Sequence, residues 1–128
     1  MKFQKSGIGC FFKGRDPNEE IDVLESNRVH NSRILYIGRA GGQTSADRLY
    51  RSTLRKRICQ YIRLGYGESA AHRGDRYIWQ IRDSKQLLIG YRTTDMIGGN
   101  PNPVKYEHYL LAEYLSNYGR LPFANLAK

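Results

Sequence analysis

The chain has 128 residues, of which 40% are hydrophobic and 12% aromatic, so its composition excludes a disordered chain and predicts one globular domain spanning residues 1–128. Twenty-one Lys and Arg against 12 Asp and Glu give a formal charge of +9, which favours a polyanionic partner such as nucleic acid, although a merely soluble basic protein is charged in the same way. No run of about 18 apolar residues predicts a membrane span, and the isolated Cys10 and Cys59 exclude zinc-type spacing and favour a reducing cytoplasm.

The first part of the chain predicts two short strands around a long polar excursion. Residues 7–13 (GIGCFFK) form an apolar run bounded by glycine, and residues 34–37 are β-branched and aromatic, so both favour strands. Residues 14–32 between them are polar and predict a loop with a helical turn near residues 21–25. Two strands connected in this way are most simply antiparallel.

A basic amphipathic helix is predicted to begin between Ser45 and Ser52 and to end near Gly65. Arg57 lies at the edge of its apolar face, where an arginine is half-buried and needs an anionic partner. Two roles therefore stay open for Arg57, a structural ion pair and a functional cation. The apolar face consists of Tyr50, Leu54, Ile58, Tyr61 and Ile62, and the outward flank consists of Arg51, Arg55, Lys56 and Arg63.

The next predicted element is a β-hairpin. Residues 77–82 (YIWQIR) and 87–93 (LLIGYRT) are β-prone, and the four polar residues between them suit a turn. Residues 66–75 before the hairpin and residues 95–103 after it are predicted to be loops. The tail, residues 120–125, is expected to be extended and to pack back on the body.

The last predicted helix, residues 104–119, carries one acid, Glu107, near the middle of its apolar face. The capping residues are Asn102 at the N-cap, Pro103 at the first helical position and Gly119 at the left-handed terminal position. A carboxylate aimed into an apolar face is costly unless a positive group meets it. Glu107 is therefore either a core acid paired with an arginine, for which Arg57 is suited, or a metal ligand at the floor of a cleft.

The order of these elements is strand, strand, basic helix, hairpin and acid-centred helix. Short strands next to each other, with helices before and after a hairpin, are typical of segregated rather than alternating architectures. The sequence therefore predicts an α+β fold, with a small and mostly antiparallel β-sheet flanked by helices.

The same motifs together resemble the GIY-YIG nuclease family. Tyr36-Ile37-Gly38 is similar to the YIG strand of that family, and Leu54 and Arg57 match the L-x-x-R pattern of the helix that follows it. The run from His72 to Gln80 resembles the H-x-G-x-x-x-x-W-Q segment of a subset of the family. Glu107 stands where the family's metal-binding Glu opens the last core helix.

The tail completes the resemblance, which covers about residues 34–126. Residues 122–125 (PFAN) resemble the family's terminal P-x-x-N, whose Asn helps to hold the site; taken alone, Asn125 is equally well explained as a turn residue. The departure lies in the first motif, because the chain has no tyrosine before Tyr36. Phe11 or Phe12 would keep the ring of the family's first tyrosine and lose its hydroxyl.

The resemblance implies a role for each residue in the hydrolysis of a phosphodiester. Glu107 would hold a divalent cation, Mg²⁺ or Mn²⁺, and Arg57 would clamp the non-bridging oxygens of the phosphate. Tyr36 would act as the base or orient the attacking water. Tyr61 and His72 would be secondary proton or hydrogen-bond partners, although a loop histidine such as His72 has an ordinary structural explanation too.

Two functional classes follow, with DNA as the expected partner of both and RNA as a variant. The first is a metal-dependent endonuclease, and the second is a nucleic-acid-binding module that kept the fold and lost turnover with the first tyrosine. In both classes the excess positive charge should form one basic surface around the cleft. Its predicted members are Arg39, Arg51, Arg55, Lys56, Arg63, Arg73 and Arg76.

Overall fold

The computed structural model describes residues 1–5, 7, 18–43, 49–66, 73–94 and 102–126. Within these ranges the chain forms four α-helices, a short 3-10 turn (Ser84–Gln86) and an antiparallel ribbon with two residues in each strand. This part of the chain is therefore a mixed helical fold with little strand. The helices are α1 (Ile21–Asn27), α2 (Leu54–Gly65), α3 (Arg73–Trp79) and α4 (Pro103–Tyr118), and the strands are β1 (Gly42–Gln43) and β2 (Leu49–Tyr50).

Helix α4 confirms the predicted acid-centred helix together with its caps. The side chain of Asn102 accepts a hydrogen bond from Val104 N, Pro103 occupies the first turn, and Gly119 ends the helix at a φ of 73°. Asn102 also exchanges two hydrogen bonds with the backbone of Gln43, at 2.9 and 2.6 Å, and so fixes the start of α4 against β1. None of the described helices, α4 included, is long and apolar enough to cross a membrane.

Helix α2 confirms the predicted basic helix and its end at Gly65, but it begins after Thr53, later than the predicted start between Ser45 and Ser52, and Tyr50 lies in β2 instead. The Thr53 hydroxyl accepts a hydrogen bond from Lys56 N at 3.1 Å, which satisfies one of the free donors at the helix start. At the other end, Leu64 and Gly65 are buried, and the Trp79 ring lies directly against Gly65. A side chain at position 65 would collide with that ring, so glycine allows α2 and α3 to approach closely.

The predicted strand over residues 77–82 is wrong, because its first half belongs to helix α3. Tyr77, Ile78 and Ile81 lie on one side of this helix and the turn after it, and all three are buried in the core. Their burial outweighs the β-propensity of their side chains, which depends strongly on context. Gly74 reinforces the arrangement, since a Cβ there would collide with the carbonyl oxygen of Ala124 in the tail.

The predicted return strand over residues 87–93 is likewise absent as a paired strand. The segment is exposed, and within the described part of the chain no backbone hydrogen bond joins residues 88–93 to another segment. Leu88 is 97% exposed. The hairpin and the larger antiparallel sheet are therefore not found among the residues that the structure describes.

The hydrophobic core brings the two ends of the described chain together. Phe3 stacks on Phe123 at 5.3 Å between ring centroids, and Tyr77 packs on the same ring at 5.8 Å. Leu24 of α1 is fully buried in this cluster. The expectation that the tail packs back on the body is confirmed by these contacts.

Candidate functional site

The tail holds residues 35–37 through three hydrogen bonds. Asn125 Nδ2 donates to the Ile37 carbonyl oxygen at 2.7 Å, and Asn125 Oδ1 accepts from Ile37 N at 2.8 Å. Ala124 N donates to the Leu35 carbonyl oxygen, also at 2.8 Å. The segment was predicted as a strand, and its described backbone partner is the tail rather than a neighbouring strand. Tyr36 is therefore fixed between two anchored positions.

The hydroxyl of Tyr36 meets the guanidinium of Arg57, which is in turn held by Asp75. Arg57 Nη2 donates to Tyr36 Oη at 3.2 Å and to Asp75 Oδ1 at 2.9 Å, while Arg57 Nη1 donates to Asp75 Oδ2 at 3.1 Å. The Asp75 side chain is 3% exposed and that of Arg57 is 12% exposed. This is a buried, two-pronged ion pair, the geometry in which an arginine is most firmly oriented.

The ion pair gives the buried charge of Arg57 a counter-ion. Burial alone acts to lower the pKa of Arg57, but its hydrogen bonds with Asp75 and Tyr36 and the charge of Asp75 outweigh burial and raise that pKa. A guanidinium has five N–H donors. Three of them are used in the bonds to Asp75 and Tyr36, so Arg57 keeps donors for a further acceptor.

Tyr61 lies beside this network and is held by Trp79. The two rings stack at 5.0 Å, and Trp79 Nε1 donates to the Tyr61 carbonyl oxygen at 3.0 Å. Burial, and then the negative charge of Asp75, raise the pKa of Tyr61 to about 12. Tyr61 is therefore a neutral hydrogen-bond donor near neutral pH and is unsuited to act as a base.

Glu107 pairs with Arg39 rather than with Arg57. Arg39 Nη1 donates to Glu107 Oε1 at 2.8 Å, and the Glu107 side chain is 11% exposed. The sequence-based expectation that Arg57 would be the partner of Glu107 is wrong, because Asp75 already holds Arg57. The cost of placing Glu107 on an apolar face is thus met by the residue that follows the Tyr36-Ile37-Gly38 motif.

The described residues around Glu107 could provide a divalent cation with few protein ligands. No group of three or more His, Cys, Asp or Glu side chains that could hold a metal is found within the described ranges. Mg²⁺, however, keeps several waters and commonly binds through one or two carboxylates together with substrate phosphates. Among the described contacts, Glu107 Oε2 accepts no hydrogen bond. Glu107 can therefore serve as the single protein ligand of such a cation.

A cavity of about 550 Å³ is lined by the polar side chains of Tyr36, Arg39, Arg57 and Asp75. Tyr61 also lines this cavity, and Glu107 is bound to its lining residue Arg39. The cavity also has aliphatic lining residues, which form its aliphatic wall. They come from three places in the chain: Ile34 and Leu35, Leu54 and Ile58 of α2, and Leu87, Leu88 and Ile89.

The other residues predicted for the site either lie outside the described residues or do not line the cavity. His72 lies outside the described residues, as do the apolar run 8–13 and the loop 95–101. Arg73 begins α3, but its side chain is not among those described, and Arg76 is half-buried rather than exposed. The members of the predicted basic surface that lie exposed on or next to α2 are Arg51, Arg55, Lys56 and Arg63.

Sequence reasoning missed two residues of the cavity, Asp75 and Arg33. Asp75 lies in a segment predicted to be a loop, although it is the only acid between Glu68 and Asp83 and follows a helix with a half-buried arginine. Its position as the sole acid between Glu68 and Asp83 is the sequence feature that could have identified Asp75 as the partner of Arg57. Arg33 is an exposed lining residue of the cavity, and its position immediately before the Tyr36 strand carried no signal of its own.

Compared with family models, curated proteins and solved structures, the chain matches none of them. Its function must therefore be argued from the chemistry of the cavity and from the sequence motifs.

Proposed function

We propose that the protein is a metal-dependent endonuclease that hydrolyses DNA phosphodiester bonds at this cavity, with Mg²⁺ or Mn²⁺ as its cation. The observation that carries the proposal is the meeting of Tyr36, Arg57 and Arg39 around one cavity, with Glu107 bound to Arg39. Oriented cations next to a hydroxyl and a carboxylate suit the binding of a phosphate that is to be attacked by water.

The same proposal places the protein in the cytoplasm, where a free thiol such as that of Cys59 persists.

The α+β fold of the GIY-YIG family belongs to the proposal as well. Two contacts support it, because each joins residues that the resemblance alone would bring together. Arg57 contacts the tyrosine of the Tyr36-Ile37-Gly38 motif, and Asn125 holds the isoleucine of the same motif. These partners are far apart in the sequence, so local propensity does not account for their contact.

The proposed chemistry divides the work between three side chains. Arg57 donates its remaining N–H groups to the non-bridging oxygens of the phosphate, where negative charge grows during attack. Tyr36 Oη accepts a hydrogen bond from Arg57, so its own O–H points elsewhere and can orient a water or donate to the phosphate. Glu107 would hold the cation, which would supply positive charge to the phosphate and to the leaving oxygen.

A nucleic-acid-binding module without turnover is the second candidate function, and one observation favours it. Arg57 and Glu107 each have an ion-pair partner within the protein, so each charge is explained without a substrate or metal. Loss of the first tyrosine of the family's signature points in the same direction. The two candidates differ in whether a cation changes the substrate.

The deciding experiment is the nicking of supercoiled plasmid with Mg²⁺, Mn²⁺ or EDTA, using the wild type and Glu107→Gln. The substitution keeps the size of Glu107 and removes the charge that a cation needs. A nuclease should lose metal-dependent nicking by a factor of about 10² to 10⁴ while its DNA affinity is kept. Glu113→Gln on the same helix is the matched control, because Glu113 is exposed and bonded only by the hydroxyl of Tyr109.

The opposite result is equally clear. A wild type that binds DNA but does not nick it with either cation, and whose Glu107→Gln variant merely melts at a lower temperature, would eliminate the nuclease. That combination would leave the binding module and assign Glu107 to a structural ion pair with Arg39.

A further inference from the structure

The aliphatic wall of the cavity is unusually exposed. Leu88 is 97% exposed, and Ile34, Leu54 and Ile89 are each exposed as well. Single exposed apolar residues are common, but here they come from three separate segments and face one concave space. An apolar surface of this kind, bordered by a few convergent polar groups, is typical of a binding site.

The cavity also carries positive charge that is available to a ligand. Arg33 is an exposed lining residue, and within the described part of the chain it takes part in no salt bridge or hydrogen bond. Arg57 contributes the N–H groups that Asp75 and Tyr36 leave unused. The cavity therefore offers both cations and aliphatic carbon to one ligand.

We infer that the cavity binds one unpaired nucleotide of a single-stranded nucleic acid, an inference that rests on the nucleic-acid binding in the proposed function. A nucleotide has the matching two-part chemistry, with a phosphate for the arginines and an apolar base face for the wall. A volume of about 550 Å³ is within the range that holds a ligand of this size. The favoured substrate is thus a single strand, a flap or an unpaired end.

Intact duplex fits the cavity less well. In a duplex the bases are stacked inside, and the surface that reaches a cavity is sugar and phosphate. The aliphatic wall would then have no partner, and extruding a base would cost unstacking and unpairing. An already unpaired base buries the wall without that cost.

The wall also predicts how the base is recognised. Its aromatic neighbours are engaged, since Tyr61 stacks on Trp79 and the Tyr36 ring lies 5.5 Å from the Arg57 guanidinium. Contact with Leu88 and Ile89 buries the apolar face of the base. These side chains form no hydrogen bonds with the polar edge of the base, which is where the four bases differ. Preference among the four bases should therefore be weak, and preference for the unpaired state should be strong.

The test compares the binding of one labelled 20-mer as a single strand and as a blunt duplex, in EDTA and at fixed salt. Fluorescence anisotropy gives the affinity, and a 2-aminopurine base reports burial of the unpaired nucleotide. The wild type should bind the single strand about tenfold or more tightly than the duplex, the scale of one base contact. Leu88→Glu should abolish most of this preference.

Leu115→Glu is the matched control, because Leu115 is 47% exposed on α4 and does not line the cavity. Both variants add the same charge, so the general loss of affinity for a polyanion is shared, and only Leu88→Glu should lose the preference for the single strand. Leu88→Gln removes the apolar surface without charge and should act in the same direction. Thermal melting of each variant verifies folding.

Equal affinity of the wild type for single strand and duplex would overturn the inference, as would equal effects of Leu88→Glu and Leu115→Glu. The outcomes are separable from those for the nuclease. Nicking of duplex without a preference for the single strand removes this inference and keeps the nuclease. A strong single-strand preference without cleavage keeps this inference and removes the nuclease.

Discussion

At the scale of single residues, the decisive contact is the ion pair between Arg57 and Asp75. Both side chains are nearly buried, and their two-pronged geometry leaves no freedom in the guanidinium plane. A buried pair of this kind is weak as a source of stability, but removing one member leaves an uncompensated charge in the interior. Asp75 therefore compensates the buried charge of Arg57 and keeps its guanidinium aimed at Tyr36.

Asp75→Asn should lower the free energy of unfolding by about 3 kcal/mol or more, because it leaves the Arg57 charge buried without a counter-ion. Urea denaturation measures this change. Asp83→Asn is the control, since it alters the same charge at an exposed position. An Asp75→Asn variant that unfolds at the same urea concentration as the control would contradict the proposed burial of this pair.

The double variant Arg57→Met with Asp75→Leu separates stability from function. Replacing both charges with apolar groups should recover much of the stability lost in Asp75→Asn. It should not recover nicking or DNA affinity at the cavity, because the donors of Arg57 are gone.

The partner of Arg57 shows which part of the site could not be predicted from the sequence. The edge position of Arg57 on its helix was enough to predict that it is half-buried and needs an acid. Which acid it meets depends on how α3 packs against α2, and that packing is not visible in the spacing of either helix. Glu107 was the reasonable candidate, and the structure pairs it with Arg39 instead.

At the scale of elements, Asn125 acts as a substitute for a neighbouring strand. Asn125→Ala removes both hydrogen bonds to Ile37 and leaves a half-buried N–H and carbonyl without partners. The expected loss is about 1–3 kcal/mol for each group left unsatisfied, measured by urea denaturation. Asn31→Ala, at an exposed turn, should change stability little.

Asn125→Asp gives a finer comparison. It keeps the size and the acceptor for Ile37 N, but it places a carboxylate oxygen against the Ile37 carbonyl. It should therefore destabilise the protein at least as much as alanine does at pH 7. A mild effect of both substitutions would show that the Phe123 core and the bond from Ala124 N to the Leu35 carbonyl oxygen hold the tail without Asn125.

The elements that could be predicted from sequence are those with long periodicity and clear ends. Helices α2 and α4 extend over 12 and 16 residues and have capping side chains. Both boundaries of α4 and the end of α2 agree with the prediction, whereas α2 begins later than predicted. Helix α3 has only seven residues and begins immediately after residues that the structure does not describe. Over so short a run, aromatic and β-branched side chains favour a strand, and only tertiary contacts such as Gly74 against Ala124 decide otherwise.

At the scale of the whole molecule, the charge of +9 is concentrated in part along α2. Arg51, Arg55, Lys56 and Arg63 are exposed on or next to this helix. Each phosphate that they neutralise releases counterions, so the affinity for DNA should fall steeply as salt is raised. The predicted basic surface is thus proposed to consist mainly of the outer face of α2.

Arg55→Gln with Lys56→Gln should reduce the slope of log K against log salt by about 2, if both side chains contact phosphates of a duplex. Titrations between about 50 and 200 mM salt measure this slope. Lys2→Gln with Lys105→Gln is the control, because it removes the same charge from exposed positions on other segments. A wild-type affinity that stays flat across this range would argue against nucleic acid as the partner.

The hold of Asn125 on Ile37 also sets the time at which the cavity can exist during synthesis. The two residues are 88 positions apart, so at about 5–20 residues per second the ribosome needs roughly 4–18 s to make the second after the first. Until residue 125 has been added, the segment with Tyr36 lacks the partner that anchors Ile37. The Tyr36 hydroxyl is then not held in line with Arg57. If the cavity is the proposed nuclease site, a nascent chain would therefore not cleave nucleic acid before residue 125 is in place.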